Sequence, residues 1–457
     1  MIGGLLQKNI FQYLHLKKEN IMRNSRLSLS DISKKGMLLL YPLRDMFGVV
    51  LSGIPFRLGE IWVCIAGVFG IVSSKNKIDK KESGVLIILF LNLMVSIIGL
   101  IIQEEKIDTS FAMKYLVRNV IYIIFVFGLL VSNNKLTGDE FSKFCKNIVL
   151  FEFILLLLIE LTGVHFFMNT ILTWKDIEKT GQYVVLGGRK FVRFMGSASE
   201  AGYLAPLLIM PYIYYLGELL EKKETSHNIE KKMCMMILIC AVMTFSTAVY
   251  FMFVILTAVY FLKNISQKRY VKYLLYTIII VPLVLFLLYL IPEVREYLQV
   301  SVLNKIQYYL GISTEVQFDW SAADRLQHLQ NAWNYFGEGN IVEKIIGHGT
   351  GAYSAKAEMS ANLLVKNVEE AYNLYLSSLT DRGFLGFLSV ILSGIYLQKL
   401  CIKNDNVSQA IYYGLVAQYI HWMLTGNFWL YYFWNEVAFL IMYRRYKLSV
   451  VRNEGLK

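Results

Sequence analysis

Charge is scarce in this chain: Asp, Glu, Lys and Arg make up 18% of 457 residues, against 56% hydrophobic ones. A soluble domain of this size could not cover so much apolar surface. Proline is scarcer still, at six residues, which leaves long stretches without the residue that breaks helices. The five cysteines (Cys64, Cys145, Cys234, Cys240, Cys401) show neither metal-ligand spacing nor the pattern of a disulfide framework. They read as small apolar fillers. No apolar run interrupts the basic, polar segment up to Lys35, so insertion is expected through the first genuine span and not through a cleaved signal.

Apolar runs are what the chain has in abundance. Gly84–Gln103, Tyr115–Ser132 and Tyr273–Ile291 are nearly free of charge over the roughly twenty residues a helix needs to cross the hydrocarbon core. Helices satisfy their own backbone in lipid, so the expected fold is an all-α polytopic membrane protein with about twelve transmembrane helices and a large extracytoplasmic loop. The net charge of +12 is dispersed between apolar runs, which points to membrane topology and away from a nucleic-acid partner. Basic connections mark the cytoplasmic side. Lys34 and Lys35, Lys75 to Lys81, and Arg444, Arg445 and Lys447 place both termini inside, with further basic connections at 133–147, 220–232, 263–271 and 401–408.

The run Met233–Leu262 tests this scheme, because one thirty-residue helix would be about 45 Å long. A break near Thr244–Thr247 restores the alternation. The expected organisation is a cytoplasmic segment 1–35, a membrane region 36–291 with an external loop 166–201, and a large external loop 292–370 with an amphipathic helix. A second membrane region 371–443 and a cytoplasmic tail 444–457 follow.

Function is expected in the two external loops, since long loops held by a rigid scaffold carry chemistry. The first ends in Gly187-Gly188-Arg189-Lys190-Phe191-Val192-Arg193-Phe194-Met195-Gly196, followed by Glu200. Its cations either reach to lipid phosphates or form arginine forks for a phosphate or diphosphate; Glu200 reads as a partner for such an arginine. In the second loop Ser321–Asp324 resembles a capping box ahead of Leu326, Leu329, Trp333 and Phe336, a helical stripe ending at Gly337. That stripe suits a face laid on the bilayer interface or the bundle top. Arg325, in the first turn, asks for an anionic neighbour, either Asp324 or a ligand phosphate.

The turn Ile346-Gly347-His348-Gly349-Thr350-Gly351 could bring backbone N–H groups to an anion, although no Walker loop follows. His348 is either a general base or a hydrogen-bonded loop histidine. Glu369 and Glu370, ahead of Tyr372 and Asn373, are either solvated loop charges or carboxylates facing a wet cavity. Tyr353, Trp320 and Tyr335 suit sugar stacking or interface anchoring.

Taken in order, Arg193-Phe-Met-Gly, the helix carrying Arg325 and Trp333, the Ile346-Gly-His-Gly turn, and Tyr372-Asn373 with Gly383-Phe-Leu-Gly386 resemble the O-antigen ligase and polymerase family. The resemblance covers 187–202 and 321–390, with Thr244–Thr247 matching the family's short Ser/Thr hairpin. It implies a GT-C-like, metal-independent, inverting glycosyltransferase without cofactor, taking undecaprenyl-diphosphate-linked oligosaccharide at the outer face of the cytoplasmic membrane. Companion proteins would be a flippase and a chain-length regulator. Ligase members carry a histidine where this chain has Tyr372, which favours a polymerase of O-antigen, capsular or exopolysaccharide repeats over a ligase. A flippase is the alternative outside the enzyme class. On this resemblance Arg193, Arg325 and Arg189 would bind the diphosphate, Glu370, then Glu369 and His348, would serve as base, and Glu200, Tyr372 and Asn373 would line the pocket.

Overall fold

The computed structural model describes residues 28–51, 54–74, 78–102, 107–179, 182–221, 228–265, a discontinuous set between 270 and 307, 320–360, 363, 368, 370–402, 405–425 and 430–454. Most of them are helical. In chain order the elements are α1 (Leu29–Leu40), the hairpin β1 (Gly48–Leu51) and β2 (Ile54–Arg57), α2 (Leu58–Val72), α3 (Ser83–Ile102), α4 (Thr109–Val131) and α5 (Gly138–Thr162). Then come β3 (His165–Phe167), β4 (Thr170–Leu172), α6 (Trp174–Lys179), β5 (Tyr183–Leu186), β6 (Arg189–Val192), α7 (Leu204–Glu221), α8 (Asn228–Met243) and α9 (Thr247–Lys263). The remainder comprises α10 (Pro292–Leu298), α11 (Trp320–Glu338), α12 (Ile341–Ile346), α13 (Ala352–Met359), α14 (Leu374–Leu400), α15 (Asn406–His421) and α16 (Tyr431–Glu454).

Among the described residues, four helices are long and apolar enough to cross a membrane: Ser83–Ile102, Thr109–Val131, Ala201–Glu221 (α7 with its preceding turn) and Leu374–Leu400. α2 and α9 are apolar but shorter. Sequence chemistry sets several of their ends. The Asp108 carboxylate accepts the Phe111 N–H at the start of α4, Thr137 and Glu140 form a capping box at α5, and Gly163, at φ 64°, ends α5 in the left-handed conformation. The run from Met233 breaks where its length demanded: α8 stops at Met243, Phe245 turns at φ 46°, and α9 starts at Thr247.

Contacts sort the connections into two ends of the bundle. At one end Lys34 Nζ pairs with Glu140 (2.6 Å), Arg445 with Glu82 (2.6 Å) and Lys447 with Asp405 (2.7 Å), while the Tyr396 hydroxyl donates to the Lys81 carbonyl (2.7 Å). α16 therefore continues as helix past residue 443, and Arg445 also donates to the carbonyls of Leu129, Leu130 and Ser132. At the opposite end the Asp45 N–H donates to Ser197 (3.0 Å), Met168 to Asp45 (2.9 Å), Phe194 to Met243 (2.9 Å) and Asp108 to Gly351 (3.0 Å).

The mostly helical chain is consistent with the all-α expectation, and this second end adds three two-stranded antiparallel hairpins, β1–β2, β3–β4 and β5–β6. Short pairs suit these connections because each reverses the chain tightly. Gly187 (φ 56°) and Gly188 (φ 75°) supply the two positive-φ positions of the β5–β6 turn. His165 in β3 is buried there, and burial holds its imidazole down to about 4 from its ordinary 6.5.

Several charged side chains are buried within the helix bundle. Glu60 in α2 and Arg118 in α4 form a buried pair at 3.0 Å, and Arg118 donates as well to the Pro55 carbonyl (2.7 Å). Ten residues further along both helices, α2 and α4 pack closely, with Gly70 against the Gly128 carbonyl. Glu152, Glu436 and Arg382 are buried too.

Glu60→Ala strands the Arg118 cation and is expected to cost about 3–5 kcal/mol, whereas Glu60→Leu combined with Arg118→Met recovers most of that loss. Thermal unfolding in detergent measures both; a double variant as unstable as the single one would contradict the assignment. His165 is stabilising while neutral, because its folded-state value lies below its unfolded one. Its contribution is full above pH 6.5 and lost as pH falls towards about 4. His165→Phe should flatten the stability profile across that window.

Candidate functional site

The glycine-rich turn 347–351 does bring backbone N–H groups to an anion, and the anion belongs to the protein. The Asp381 carboxylate accepts from the N–H groups of Gly351 (3.0 Å) and Tyr353 (3.1 Å), while the N–H groups of His348 and Gly349 donate to the carbonyls of Thr380 (2.9 Å) and Asp381 (3.0 Å). Glycine is required on both sides of this contact. Gly347 (φ 86°) and Gly383 (φ 63°, at a kink in α14) approach so closely that a side chain on Gly347 would stand 2.3 Å from the Arg382 nitrogen. The other side of the unit is fixed by Ser354, whose hydroxyl donates to Asp108 (2.9 Å). Arg382 turns inward, donating to Asn92 (3.1 Å) and Ser378 (2.6 Å), with its guanidinium over the Tyr115 ring.

This docking sets α11, whose structure departs from its sequence pattern in two ways. The helix is already under way at Trp320 and runs through Gly337 to Glu338, so Ser321–Asp324 lies inside it and is not a capping box. Its buried face is not the apolar stripe. Asp324, His328, Ala332 and Tyr335 point inward, while Trp333 is 60% exposed. A polar face can be buried because it is answered: His328 Nε2 stands 3.5 Å from Asp324 and Nδ1 2.8 Å from the Tyr353 hydroxyl. The His328 ring meets Tyr372 edge-on at 5.2 Å.

Arg325 follows Asp324 and lies with its guanidinium 5.4 Å from the Tyr372 ring centre. Tyr372, outside the spans, has its hydroxyl pushed up by burial, with Arg325 opposing that rise and Asp324 and Glu200 adding to it. Arg325, Tyr372 and Glu200 therefore share one neighbourhood. Tyr203 lies three residues after Glu200, in the turn that leads into α7. The His421 ring packs edge-on against Tyr203 at 4.7 Å. Glu200 is exposed and, among the described residues, makes no ion pair with an arginine; the expected pairing is not formed, because its position before α7 leaves it facing solvent.

The other candidates lie elsewhere. Arg193 donates to the Thr244 carbonyl (3.4 Å), where Tyr297 also donates to Phe245 (3.0 Å), so this arginine fastens the α8–α9 turn. Arg189 is exposed beside the tip of the β5–β6 hairpin. His348 is buried and stacked on Tyr335, ring centres 4.1 Å apart, with Nε2 3.2 Å from the Tyr335 carbonyl, the geometry of a structural loop histidine. Asn373 caps α14 by accepting from Leu376 N–H and donates to the Met423 carbonyl. Glu370 is buried in the segment leading to α14; Glu369 lies outside the described residues. Among the described residues no group of three or more His, Cys, Asp or Glu side chains is placed to hold a metal.

Several polar residues near the site escaped the sequence reading. Arg44 is buried, its guanidinium 3.9 Å from the Tyr432 ring centre and donating to the Tyr203 carbonyl (3.3 Å). It stands beside Tyr41, whose hydroxyl bonds Glu436. Asp45 accepts from Arg57 and from Ser199 N–H (3.0 Å). Glu152 takes the Ser197 hydroxyl (2.5 Å) and N–H (3.1 Å). A lone carboxylate in an apolar run was a usable signal for Glu152 and Glu60. Arg44 and His421, at helix ends remote in sequence, offered none.

A largely helical chain with several membrane-length helices defines a membrane protein. Residues 233–391 match the family model described as O-antigen ligase, and over this segment the chain carries a domain of the O-antigen polymerase and ligase family. No match to an individual curated protein accompanies it. The matched segment runs from α8 into α14 and so contains Arg325, the glycine turn, Tyr372 and Asp381; Arg193, Arg44 and His421 lie outside it. Family members are glycosyltransferase-like enzymes acting on lipid-linked sugars.

Asp381→Asn keeps the shape but removes the charge that two amides serve, and is expected to cost about 1.5–3 kcal/mol. Limited proteolysis should cut between residues 347 and 360 faster in the variant, and an unchanged cleavage rate would argue against the carboxylate as the anchor.

Proposed function

We propose that this protein polymerises oligosaccharide repeat units carried on undecaprenyl diphosphate into a surface polysaccharide, acting at the outer face of the bacterial cytoplasmic membrane. The observation that carries this reading is Arg325, presented over Tyr372 in the family-matched segment. A fixed cation among aromatic groups suits a diphosphate joined to a sugar.

In the proposed reaction an acceptor hydroxyl oxygen attacks the anomeric carbon while the bond from that carbon to the diphosphate oxygen breaks. The electron pair leaves with the diphosphate, whose growing charge Arg325 stabilises; preorganised donors of this kind contribute several kcal/mol. The proton passes to a carboxylate, for which Glu370 is the candidate. Attack opposite the leaving group inverts the anomeric centre, and arginine provides the cationic charge without a divalent ion. Arg189, exposed beside the hairpin tip, would meet the diphosphate as it approaches across the outer layer, while Arg193 holds the α8–α9 turn.

The sorting of connections to two ends supports a chain that crosses the membrane about twelve times, in a GT-C-like arrangement, with both termini in the cytoplasm. A ligase is the second reading, favoured by the description of the matching family; Tyr372, where ligases carry histidine, favours the polymerase.

Replacing the chromosomal copy by Arg325→Ala, with membrane abundance checked by immunoblot, tests the assignment. The expected outcome is abundant protein with the polysaccharide ladder collapsed to single repeat units. Long polymer retained on its lipid carrier would instead indicate a ligase, and an unchanged ladder would remove Arg325 from the mechanism.

A further inference from the structure

The short helix α12 carries its side chains the wrong way round for a loop in water. Ile341 is 72% exposed, with Val342 (47%) and Ile345 (46%) beside it, whereas Glu343 and Lys344 are half-buried. The Glu343 carboxylate turns back to accept the Asn340 N–H (2.6 Å). A water-facing helix would present its charges and cover its aliphatic groups.

The neighbours of α12 fix how deep it lies. α3 begins beside Tyr396 of α14, whose hydroxyl bonds the Lys81 carbonyl, and runs towards the loop-bearing end without a charged residue before Glu104. A side chain on Gly99 would stand 3.3 Å from Gly349 Cα. The glycine turn therefore meets α3 four residues short of Gln103, about 6 Å inside the apolar run. α14 gives the same level. A side chain on Gly383 would stand 2.5 Å from the Ile345 carbonyl, and Gly383 lies about 20 Å along the helix from Tyr396, within a hydrocarbon core of about 30 Å. Here the outward residues of both spans are apolar: Ile98, Ile101 and Ile102 of α3 and Phe384 of α14 are exposed.

The backbone agrees with that depth. Irregular chain is tolerated in the hydrocarbon region only where it is buried in protein and its polar groups are met. Residues 347–351 are buried. The N–H groups of Gly347, His348 and Gly349 donate to the carbonyls of Glu343 (2.7 Å), Thr380 (2.9 Å) and Asp381 (3.0 Å), and that of Gly351 to the Asp381 carboxylate (3.0 Å). A turn in water could leave such donors to solvent.

We propose that residues 341–351 form a re-entrant segment that dips into the leaflet at the loop-bearing end, with Ile341, Val342 and Ile345 bedded in the acyl chains of bilayer lipids. This surface continues the lipid-facing sides of α3 and α14. The proposal rests on those two helices crossing the bilayer and is independent of the polymerase reading. α11, joined to α12 through Gly339 and Asn340, is thereby fastened to the bilayer as well as to the bundle.

The test uses wild-type, full-length protein in vesicles of phosphatidylethanolamine and phosphatidylglycerol, doped with a phospholipid carrying a diazirine midway along one acyl chain. After illumination, labelled peptides are identified by mass spectrometry. Label on Ile341–Ile346 at the level found on α3 and α14 is expected, with loss of label at Arg189 and Lys190 on the tip of the β5–β6 hairpin. Labelled spans with an unlabelled α12 would overturn the proposal, since that face would then meet water or another protein. Equal label on the hairpin tip would also overturn it, because the probe would be reporting nearness to the membrane surface alone. Unlabelled α3 and α14 would remove the spanning helices on which the proposal rests.

A second measurement reads depth directly. A nitroxide on Ile345→Cys, in a chain whose five cysteines are replaced by alanine, should be relaxed by oxygen relative to a water-soluble nickel chelate several-fold more than one on Lys190→Cys. Equal ratios at the two positions would place α12 in water and overturn the proposal.

Discussion

A carboxylate buried among helices must find donors, and in this protein it finds them in the loops. Asp381 holds the N–H groups of Gly351 and Tyr353, Glu152 holds Ser197, and Asp45 holds Ser199 and Arg57. The bonds of Asp381 and Glu152 tie connections to the helix bundle and those of Asp45 tie connections to one another, where competing water is scarce and an unmet charge is costly. Loops that would otherwise hang from the ends of spans are thereby held in register with them.

The position of Arg325 follows from that constraint. The glycine turn locks to the kink of α14, α13 locks to the start of α4 through Asp108 and Ser354, and α11 lies against this base with its polar face inward. Burying Asp324 and His328 leaves Leu329 and Trp333 on the outside and aims Arg325 at Tyr372. The cation is thus placed by neighbours supplied from other segments, which is how a residue outside the spans can keep a fixed geometry.

Distribution of the cations follows a similar logic. Arg193 serves the turn between α8 and α9, and Arg44 is stacked on Tyr432 near His421. Arginine suits both tasks, because its planar fork can meet carbonyls while its face lies on an aromatic ring. Residues that look equivalent in the sequence therefore divide between holding the scaffold and facing the proposed substrate.

The apolar runs, the break at Thr244–Thr247 and the kinship of the Arg325, glycine-turn and Tyr372 segments were legible in the sequence, because helix length, charge and turn chemistry are local properties. The glycine turn and Asp381-Arg382-Gly383 could be read as separate motifs, but not as one joint. Which face of α11 is buried could not be read either: hydrophobicity favours the stripe through Leu329 and Trp333, and only the partners Tyr353 and Tyr372, brought by other segments, make burial of Asp324 and His328 affordable. Arg44 and His421 escaped the sequence reading for the same reason. Composition settled that the chain is a largely helical membrane protein; tertiary structure decided which polar groups meet, since a buried charge is stable only where distant residues supply its partner.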